Sequence, residues 1–266
     1  MPGVVYLLFL DHRCLLVVMV GRMGGKKERA RDLGIVIGTL PPGPANAITD
    51  VDGVRVGHRT LIEGEGPLRV GEGPVRTGVT VIIPREEPWK HPAYAGSHRL
   101  NGNGELTGLS WVRESGQLMG PIGLTNTHSV GVVRDGLIRH EVKVRRDEFF
   151  FSLPVVGETC DGLLNDINGF HVKAEHVEEA IEAASAGPVE EGNVGGGTGM
   201  ICHGFKGGIG TASRKVPDAS GGYTVGLLVQ TNHGMRERLA VNGVAVGREL
   251  DGDQVPMPDF TPVMPP

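Results

Sequence analysis

The 266-residue sequence predicts an α+β domain built from layered, mainly antiparallel or mixed sheets. Three observations lead to this fold class. Apolar runs with β-branched residues recur along the chain, two segments have helical spacing, and the two types follow one another without a regular βαβ rhythm. The 43 glycines, about twice the usual share, punctuate the apolar segments and indicate many tight turns and close backbone approaches.

The first part of the chain is predicted to be an arm followed by strands. Residues 24–45 are basic, then rich in glycine and proline, and are expected to form an extended arm. In AITDVDGVRVGHRTLI the pair Asp52-Gly53 interrupts β-branched residues, which predicts a hairpin. GPVRTGVTVIIP then predicts a buried strand over residues 78–84, and a proline-rich loop follows at 86–98.

The middle of the chain combines two strands with two helices. The polar turn NGNGELTG at 101–108 could precede a helix, and residues 120–131 predict a strand that ends in small polar residues. Helical spacing follows in VVRDGLIRHEVKVRR. Residues 149–162 predict a further strand, which ends in Glu158, Thr159 and Cys160, and AEHVEEAIEAASAG predicts a helix that Gly187 and Pro188 terminate.

The last part contains two glycine-dense loops, a strand and a hairpin. The loops are EGNVGGGTGM and FKGGIGTASR, and GYTVGLLVQTN predicts a strand with a polar tip at Asn232. AVNGVAVG has a central Asn-Gly pair and predicts a hairpin. Glycines 192–199 could let the backbone approach an anion, but no GK[ST] follows, so a tight, packed turn is favoured.

Composition excludes several function classes. The net charge is −5, the pI is about 6.1 and no basic stripe is present, so nucleic acid is not an expected partner. Cys14, Cys160 and Cys202 are odd in number and far apart, which favours a reducing, cytoplasmic location over a disulfide framework. The histidines occur singly, without H-E-x-x-H or H-x-H, so we expect no metal site.

Both ends of the chain are expected to lie outside the domain. The apolar stretch over residues 1–22 is interrupted by Asp11, His12 and Arg13, so no membrane association is expected. It could be a weak export signal, an extra strand, or translated sequence upstream of a start at Met23, which we favour. Residues 251–266 hold five prolines and predict a linker. We therefore expect an N-terminal extension and arm (1–45), a domain (46–250) and a linker (251–266) that leads to a further segment.

Polar residues at strand ends are the candidates for chemistry. Asn126, Glu158 and Asn232 each terminate an apolar strand. A glutamate there can bind a substrate ammonium, and an asparagine amide can donate to a developing oxyanion. The alternative for each residue is a turn-capping role.

The amino-acid sequences of several segments resemble one family. GPANAITDVDGVRVGH, LNGNGELTG, GPIGLTNTHSVGVVRDGLI, PVVGETCDGLLNDINGFHV, EGNVGGGTGM and GYTVGLLVQTNHG follow in order within residues 29–250. Together they resemble the P1 peptidases, the family of the L-aminopeptidase/D-Ala-esterase-amidase (DmpA-type) and the β-peptidyl aminopeptidases.

The resemblance implies a fold and a maturation route. Members resemble N-terminal nucleophile hydrolases and fold as αββα four-layer sandwiches. A precursor cleaves itself before a serine, which becomes the N-terminal nucleophile of a β chain. The αβ units assemble into homo-oligomers, and no metal or cofactor is required. This chain matches the α portion, so it is expected to lack the β-chain part and its serine.

The resemblance also implies three site residues. Glu158 matches the glutamate that holds the substrate ammonium, and Asn232 matches the asparagine at the oxyanion. Cys160 stands where the DmpA-type pattern has tyrosine. A thiol is a weaker and shorter donor, which puts oxyanion stabilisation by this position in question.

Two functions remain open at this point. The first is an α subunit, or truncated precursor, of a self-processing serine aminopeptidase or amidase that hydrolyses N-terminal amino-acid amides, esters or short peptides. Its partner would be a β chain with an N-terminal serine. The second is an inactive fragment or degenerate homologue that acts only as a binding or interaction domain. A preference among L-, D- and β-amino acids does not follow from one sequence.

Overall fold

The computed structural model describes the backbone of residues 4–7 and the chain over residues 28–146, 148–250 and 252–258. The strands are β1 (Val4–Leu7), β2 (Arg55–Glu63), β3 (Val75–Ile83), β4 (Ala93–Ser97), β5 (Gln117–Leu118), β6 (Ile122–Asn126), β7 (Val155–Thr159), β8 (Ile201–Cys202), β9 (Phe205–Lys206), β10 (Gly208–Lys215) and β11 (Thr224–Thr231). The α-helices are α1 (Leu109–Ser115), α2 (Val130–Val144), α3 (Ala174–Glu182) and α4 (Val246–Glu249).

The centre of the fold is a mixed four-stranded sheet in the order β2-β3-β6-β7. Strand β3 pairs antiparallel with both β2 and β6, whereas β6 pairs parallel with β7. A parallel pair needs a long crossover, and α2 provides it. Strand β3 is buried along almost its whole length because both faces of the sheet are covered. The predicted mixed sheet and the buried strand at 78–84 are therefore confirmed.

Helices α2 and α3 cover one face of this sheet. Their apolar sides pack on the residues of β3 and β7 that point the same way, in a core that includes Val79, Leu137, Val156 and Val177. The predicted helical segments thus form one layer. Helix α3 approaches β2 so closely that a Cβ atom on Gly57 would lie 2.0 Å from the carbonyl oxygen of Ala180.

The antiparallel pair β10–β11 lies over the other face. Leu228 packs against a second core that includes Ile82, Leu124 and Val155. Side chains alternate along β11, so Val225 and Leu227 point outward and are exposed. The described residues therefore form three layers, in the order helices, sheet and sheet.

A glycine turn, Gly195–Gly197, lies between the two sheets. The N–H groups of Gly195 and Gly196 donate to the hydroxyls of Thr60 and Thr80, at 2.9 and 3.1 Å. A Cβ atom on Gly196 would lie 2.6 Å from the carbonyl oxygen of Leu124. These amides are already bonded and buried, so the turn is packed, as favoured from the sequence, and the anion-binding alternative is wrong.

Three local predictions need correction. Asp52-Gly53 does not join two strands, because Asp50 caps the N–H groups of Ala45 and Ala47 and holds a 3₁₀ turn before β2. The glycine-dense segment at 205–214 is not a loop but β9 and most of β10, and the predicted loop at 86–98 contains β4.

At 240–247 the predicted Asn-Gly hairpin is confirmed as a minimal one, with Val241 and Val244 exchanging backbone hydrogen bonds.

The two ends of the chain are only partly described. Residues 4–7 form β1, which runs parallel to β4, in keeping with the extra-strand alternative for residues 1–22. The rest of that stretch and residues 259–266 lie outside the described residues. Within the described part, no helix has both the length and the apolar character needed to cross a bilayer.

Candidate functional site

The site lies where the ends of β7 and β11 meet. Asn232 directly follows β11, and its Nδ2 atom donates to the carbonyl oxygen of Cys160, 3.0 Å away. Its Oδ1 atom accepts a hydrogen bond from the N–H group of Ile201 at 3.3 Å. These two bonds fix the plane of the amide. Because an amide NH₂ group carries two hydrogens, one remains for a further acceptor.

Gln230 holds this corner together. It lies on the inward face of β11, and its Nε2 atom donates to the Thr125 carbonyl at 3.0 Å and to the Thr159 hydroxyl at 2.7 Å. The bonds tie the second sheet to the ends of β6 and β7. Gln230 was not predicted as a site residue from the sequence, although a polar residue at an inward position of an apolar strand was a usable signal.

Glu158 is oriented by neutral donors. Its Oε1 atom accepts the N–H group of Glu105 at 2.8 Å, and its Oε2 atom accepts the Thr127 hydroxyl. Among the described residues, no lysine, arginine or histidine forms an ion pair with this carboxylate, which lies partly exposed at the end of β7. The side chain is thus held in place while its charge is not neutralised.

Cys160 contributes its backbone to the site. Its carbonyl oxygen accepts the Asn232 amide, and the residue itself is exposed. The structure therefore brings Cys160 and Asn232 into direct contact and leaves Glu158 two residues before Cys160 on the same strand end. The three residues that the resemblance implies come together at one edge of the fold.

Asn126, the third strand-end candidate, has the capping role. It is buried, its Oδ1 atom accepts the N–H group of Ser129 at 3.0 Å, and its Nδ2 atom donates to the Thr77 hydroxyl at 2.8 Å. These bonds form the start of the turn into α2. Asn126 supports the strand end from below and does not face the surface.

A buried carboxyl lies beneath the exposed strand end. Asp161 follows Cys160, is fully buried, and accepts a hydrogen bond from Nδ2 of Asn165 at 3.1 Å. Burial raises the pKa of Asp161 to about 6 because a carboxylate loses its hydration there. No local sequence pattern predicts this raised pKa, because the burial of Asp161 depends on packing between segments.

Three further residues near Asn232 could hold a metal ion. Ligand atoms of Cys202, His203 and His233 all lie within 4.8 Å of one another. The expectation of no metal site rested on sequence spacing, which does not join Cys202 to His233. The structure joins them through backbone pairing of the two loops.

Comparisons with known proteins identify the family of the chain. The sequence matches Peptidase family S58 over residues 46–259. It is 54% identical over 240 residues to the beta-peptidyl aminopeptidase BapA of Sphingosinicella microcystinivorans, a match that covers 90% of this chain and 60% of that protein.

Two solved structures share the fold. A beta-aminopeptidase from Burkholderia sp. superposes with a TM-score of 0.82 at 57% identity, over 87% of this chain and 64% of that one. The L-aminopeptidase D-Ala-esterase/amidase of Ochrobactrum anthropi, described as a variant of the Ntn hydrolase fold, gives a TM-score of 0.77 at 50% identity, over 84% and 63%.

The chain therefore spans about 60% of the length of the curated relative. The predicted α+β fold of the N-terminal nucleophile hydrolase type is confirmed by these structures. The resemblance stated from sequence segments is confirmed as well, and the chain belongs to Peptidase family S58.

Proposed function

We propose that this chain supplies the amine-binding and carbonyl-polarising part of a self-processing serine aminopeptidase or amidase. Its substrates are N-terminal amino-acid amides, esters or short peptides. One observation carries the proposal: Glu158, a carboxylate that has no ion-pair partner among the described residues, and Asn232, an oriented amide, lie at adjoining strand ends.

Glu158 selects the free amine of the substrate. An ammonium group and a carboxylate form a charge-assisted hydrogen bond, which is about twice as strong as a neutral one. Since Thr127 and Glu105 fix both oxygens without cancelling the charge, the attraction acts at a defined position. Substrates with a blocked amine would lose this interaction.

Asn232 polarises the reacting carbonyl. Its second amide hydrogen can donate to the oxygen that becomes negative in the tetrahedral intermediate. The bonds to Cys160 and Ile201 orient the amide before the reaction, so little reorganisation is needed when charge develops.

The nucleophile is the N-terminal serine of a β chain, with its own α-amine as base. The edge of β11 supports this placement. On β10 the outward N–H groups are already bonded, for example Ile209 to Gly192 and Lys215 to Pro41, both at 2.8 Å. On β11 no such bonds cover the outer edge among the described residues, so a further strand can pair there and end beside Asn232.

The names of the relatives suggest the substrate range. One is called a beta-peptidyl aminopeptidase and another an L-aminopeptidase D-Ala-esterase/amidase, so β-amino acid amides and L- or D-amino acid amides are the candidates. Self-cleavage and assembly of αβ units into homo-oligomers belong to the same proposal.

A second candidate is a binding or interaction domain without turnover. Cys160 favours it, because the family position carries a tyrosine hydroxyl and the thiol here is a weaker donor. The same amine-binding carboxylate would then hold a ligand that is not hydrolysed.

The test uses native protein purified from its natural source. Intact mass and N-terminal sequencing are expected to show a second chain that begins with serine. The complex is expected to hydrolyse p-nitroanilides of L-amino acids or β-amino acids, whereas the 266-residue chain alone is expected to be inactive. Turnover by the isolated chain would refute the external nucleophile, and a serine-started complex without turnover on any of these substrates would favour the binding domain.

A further inference from the structure

We propose that Cys202, His203 and His233 form a binding site beside Asn232 for zinc or a related divalent transition-metal ion. Cys202 ends β8, His203 lies in the turn to β9, and His233 follows Asn232. Their ligand atoms lie within 4.8 Å of one another. The site is separate from the pair Glu158 and Asn232, and it does not depend on the proposed reaction.

The spacing suits tetrahedral coordination. Cys202 Sγ and His233 Nδ1 are 3.7 Å apart. With usual zinc–sulfur and zinc–nitrogen distances, sulfur and nitrogen ligands at a tetrahedral zinc lie about 3.6 Å from each other. The same two atoms therefore need almost no movement to share an ion.

The tautomer of His203 suits a metal ligand. Its Nδ1 atom donates to the backbone carbonyl of Met235 at 2.9 Å, which places the hydrogen on Nδ1 and the lone pair on Nε2. Metal-bound histidines commonly donate their other ring N–H to a carbonyl in this way, and the bond fixes the ring orientation.

The turn that carries His203 suits its residue type. His203 has φ 52 and Gly204 has φ 69 in the two-residue turn between β8 and β9. Glycine adopts a positive φ readily, and histidine is among the few other residues that are enriched there. The turn therefore holds His203 directly after Cys202 in a conformation that both of its central residues tolerate.

The three donors lie on a rigid support with an access route. The N–H group of His203 donates to the His233 carbonyl at 2.7 Å, so the two loops are joined. Arg236 bonds the Gly204 carbonyl and stacks 4.0 Å over the Phe205 ring, which fixes the turn. Cys202 is buried, whereas Gly234 and Met235 beside His233 are exposed, so an ion can enter from that side.

The donor set identifies the class of ion. One thiolate and two imidazoles are ligands for zinc and related first-row transition metals, whereas magnesium and calcium prefer oxygen. Three protein ligands leave a fourth position for water. A bound ion would join the β8–β9 turn to the segment after β11 and thereby stiffen the support of Asn232.

The experiment measures metal binding on the purified protein under reducing conditions, with any chain that accompanies it. We expect one zinc ion per chain after dialysis, a melting temperature that rises with added zinc, and a thiolate-to-metal charge-transfer band with cobalt(II). His203→Asn suits the turn and removes one ligand, and Cys202→Ala removes the thiolate. Each is expected to lower zinc affinity more than about 100-fold, since loss of an outer-shell partner alone costs about 10–100-fold.

The control is His98→Asn, which removes an exposed imidazole and is expected to bind zinc like the wild type. The charge-transfer band should vanish in Cys202→Ala and persist in the control. The proposal is overturned if the protein retains no stoichiometric zinc, or if folded His203→Asn binds it as tightly as the wild type. Equal loss of zinc in His98→Asn would also overturn it, because binding would then be nonspecific.

Discussion

Glu158 differs from other partly buried carboxylates of this chain in what holds it. Glu191 forms an ion pair with Arg29 at 2.6 Å, and Glu178 contacts both His140 and Lys143. Glu158 instead accepts hydrogen bonds from a hydroxyl and a backbone N–H. Because an ion pair would compete with a substrate ammonium, the absence of one among the described residues favours the proposed amine-binding role of Glu158.

Glu158→Gln tests this role. The amide keeps the shape of the side chain but removes the charge, so kcat/KM for substrates with a free amine should fall roughly 10- to 100-fold, mainly through KM. The measurement is steady-state turnover of an amino-acid p-nitroanilide by the proposed αβ complex. Glu114→Gln, an exposed charge change on α1, should leave turnover unchanged. Unaltered discrimination between the free and the N-acetylated substrate would show that Glu158 does not bind the amine.

Cys160→Tyr tests the meaning of the residue that departs from the family pattern. A phenol hydroxyl near the reacting carbonyl would add a donor to the amide of Asn232, so kcat should rise by up to about 100-fold. Cys160→Phe adds the ring without the hydroxyl and should give no increase. If both variants change kcat equally, the effect comes from ring packing and the donor role is excluded.

At the scale of elements, the glycine turn Gly195–Gly197 sets the distance between the two sheets. It lies against the backbone of β6 and beneath Gln230, which carries the bonds that position the end of β11. A side chain in this turn would push the sheets apart. The geometry of Asn232 therefore depends on a residue that has no side chain.

Gly196→Ala should destabilise the protein by about 1–3 kcal/mol, the usual cost of an added methyl group in a packed interior. The new Cβ atom would lie 2.6 Å from the Leu124 carbonyl oxygen. This oxygen belongs to the backbone of β6, so it cannot easily shift to make room. Gly131→Ala is the matched control, because that position in α2 has open space and alanine favours the helix. Urea unfolding measures both, and equal stability of the two variants would contradict tight packing of the turn.

At the scale of the whole molecule, the stability should depend on pH through Asp161. Its pKa is raised by burial to about 6 from 3.8, so the folded protein keeps a proton that the unfolded chain has released. By linkage, the free energy of unfolding falls as pH rises through this window. The contribution is complete below about pH 4 and is lost above about pH 6.

Asp161→Asn removes this titration. Relative to the wild type, the free energy of unfolding of the variant should increase by about 1–1.5 kcal/mol between pH 5 and 7.5. The measurement is urea unfolding at several pH values. Asp135→Asn, at an exposed position of α2, should follow the wild-type curve. A constant difference between Asp161→Asn and the wild type over this range would show that Asp161 does not titrate there.

The sequence by itself determined the types of the strongly patterned elements, the family and the polar residues at the strand ends. Apolar periodicity is local, so β3, α2 and α3 could be predicted, and the motif around Glu158 and Cys160 is contiguous. Two predictions from the sequence were wrong, the hairpin at Asp52-Gly53 and the loop at 205–214. The second was wrong because glycine content does not distinguish a loop from a strand that another backbone approaches closely.

Only the tertiary structure decided which strand ends meet and which carboxylates have no ion-pair partner among the described residues. Asn232 contacts Cys160 across 72 positions of sequence, and Gln230 joins β11 to β6 and β7. The raised pKa of Asp161 and the grouping of Cys202 with His203 and His233 have the same origin. These features depend on distances between segments far apart in the chain, and such distances are fixed by packing of the sheets rather than by any local pattern.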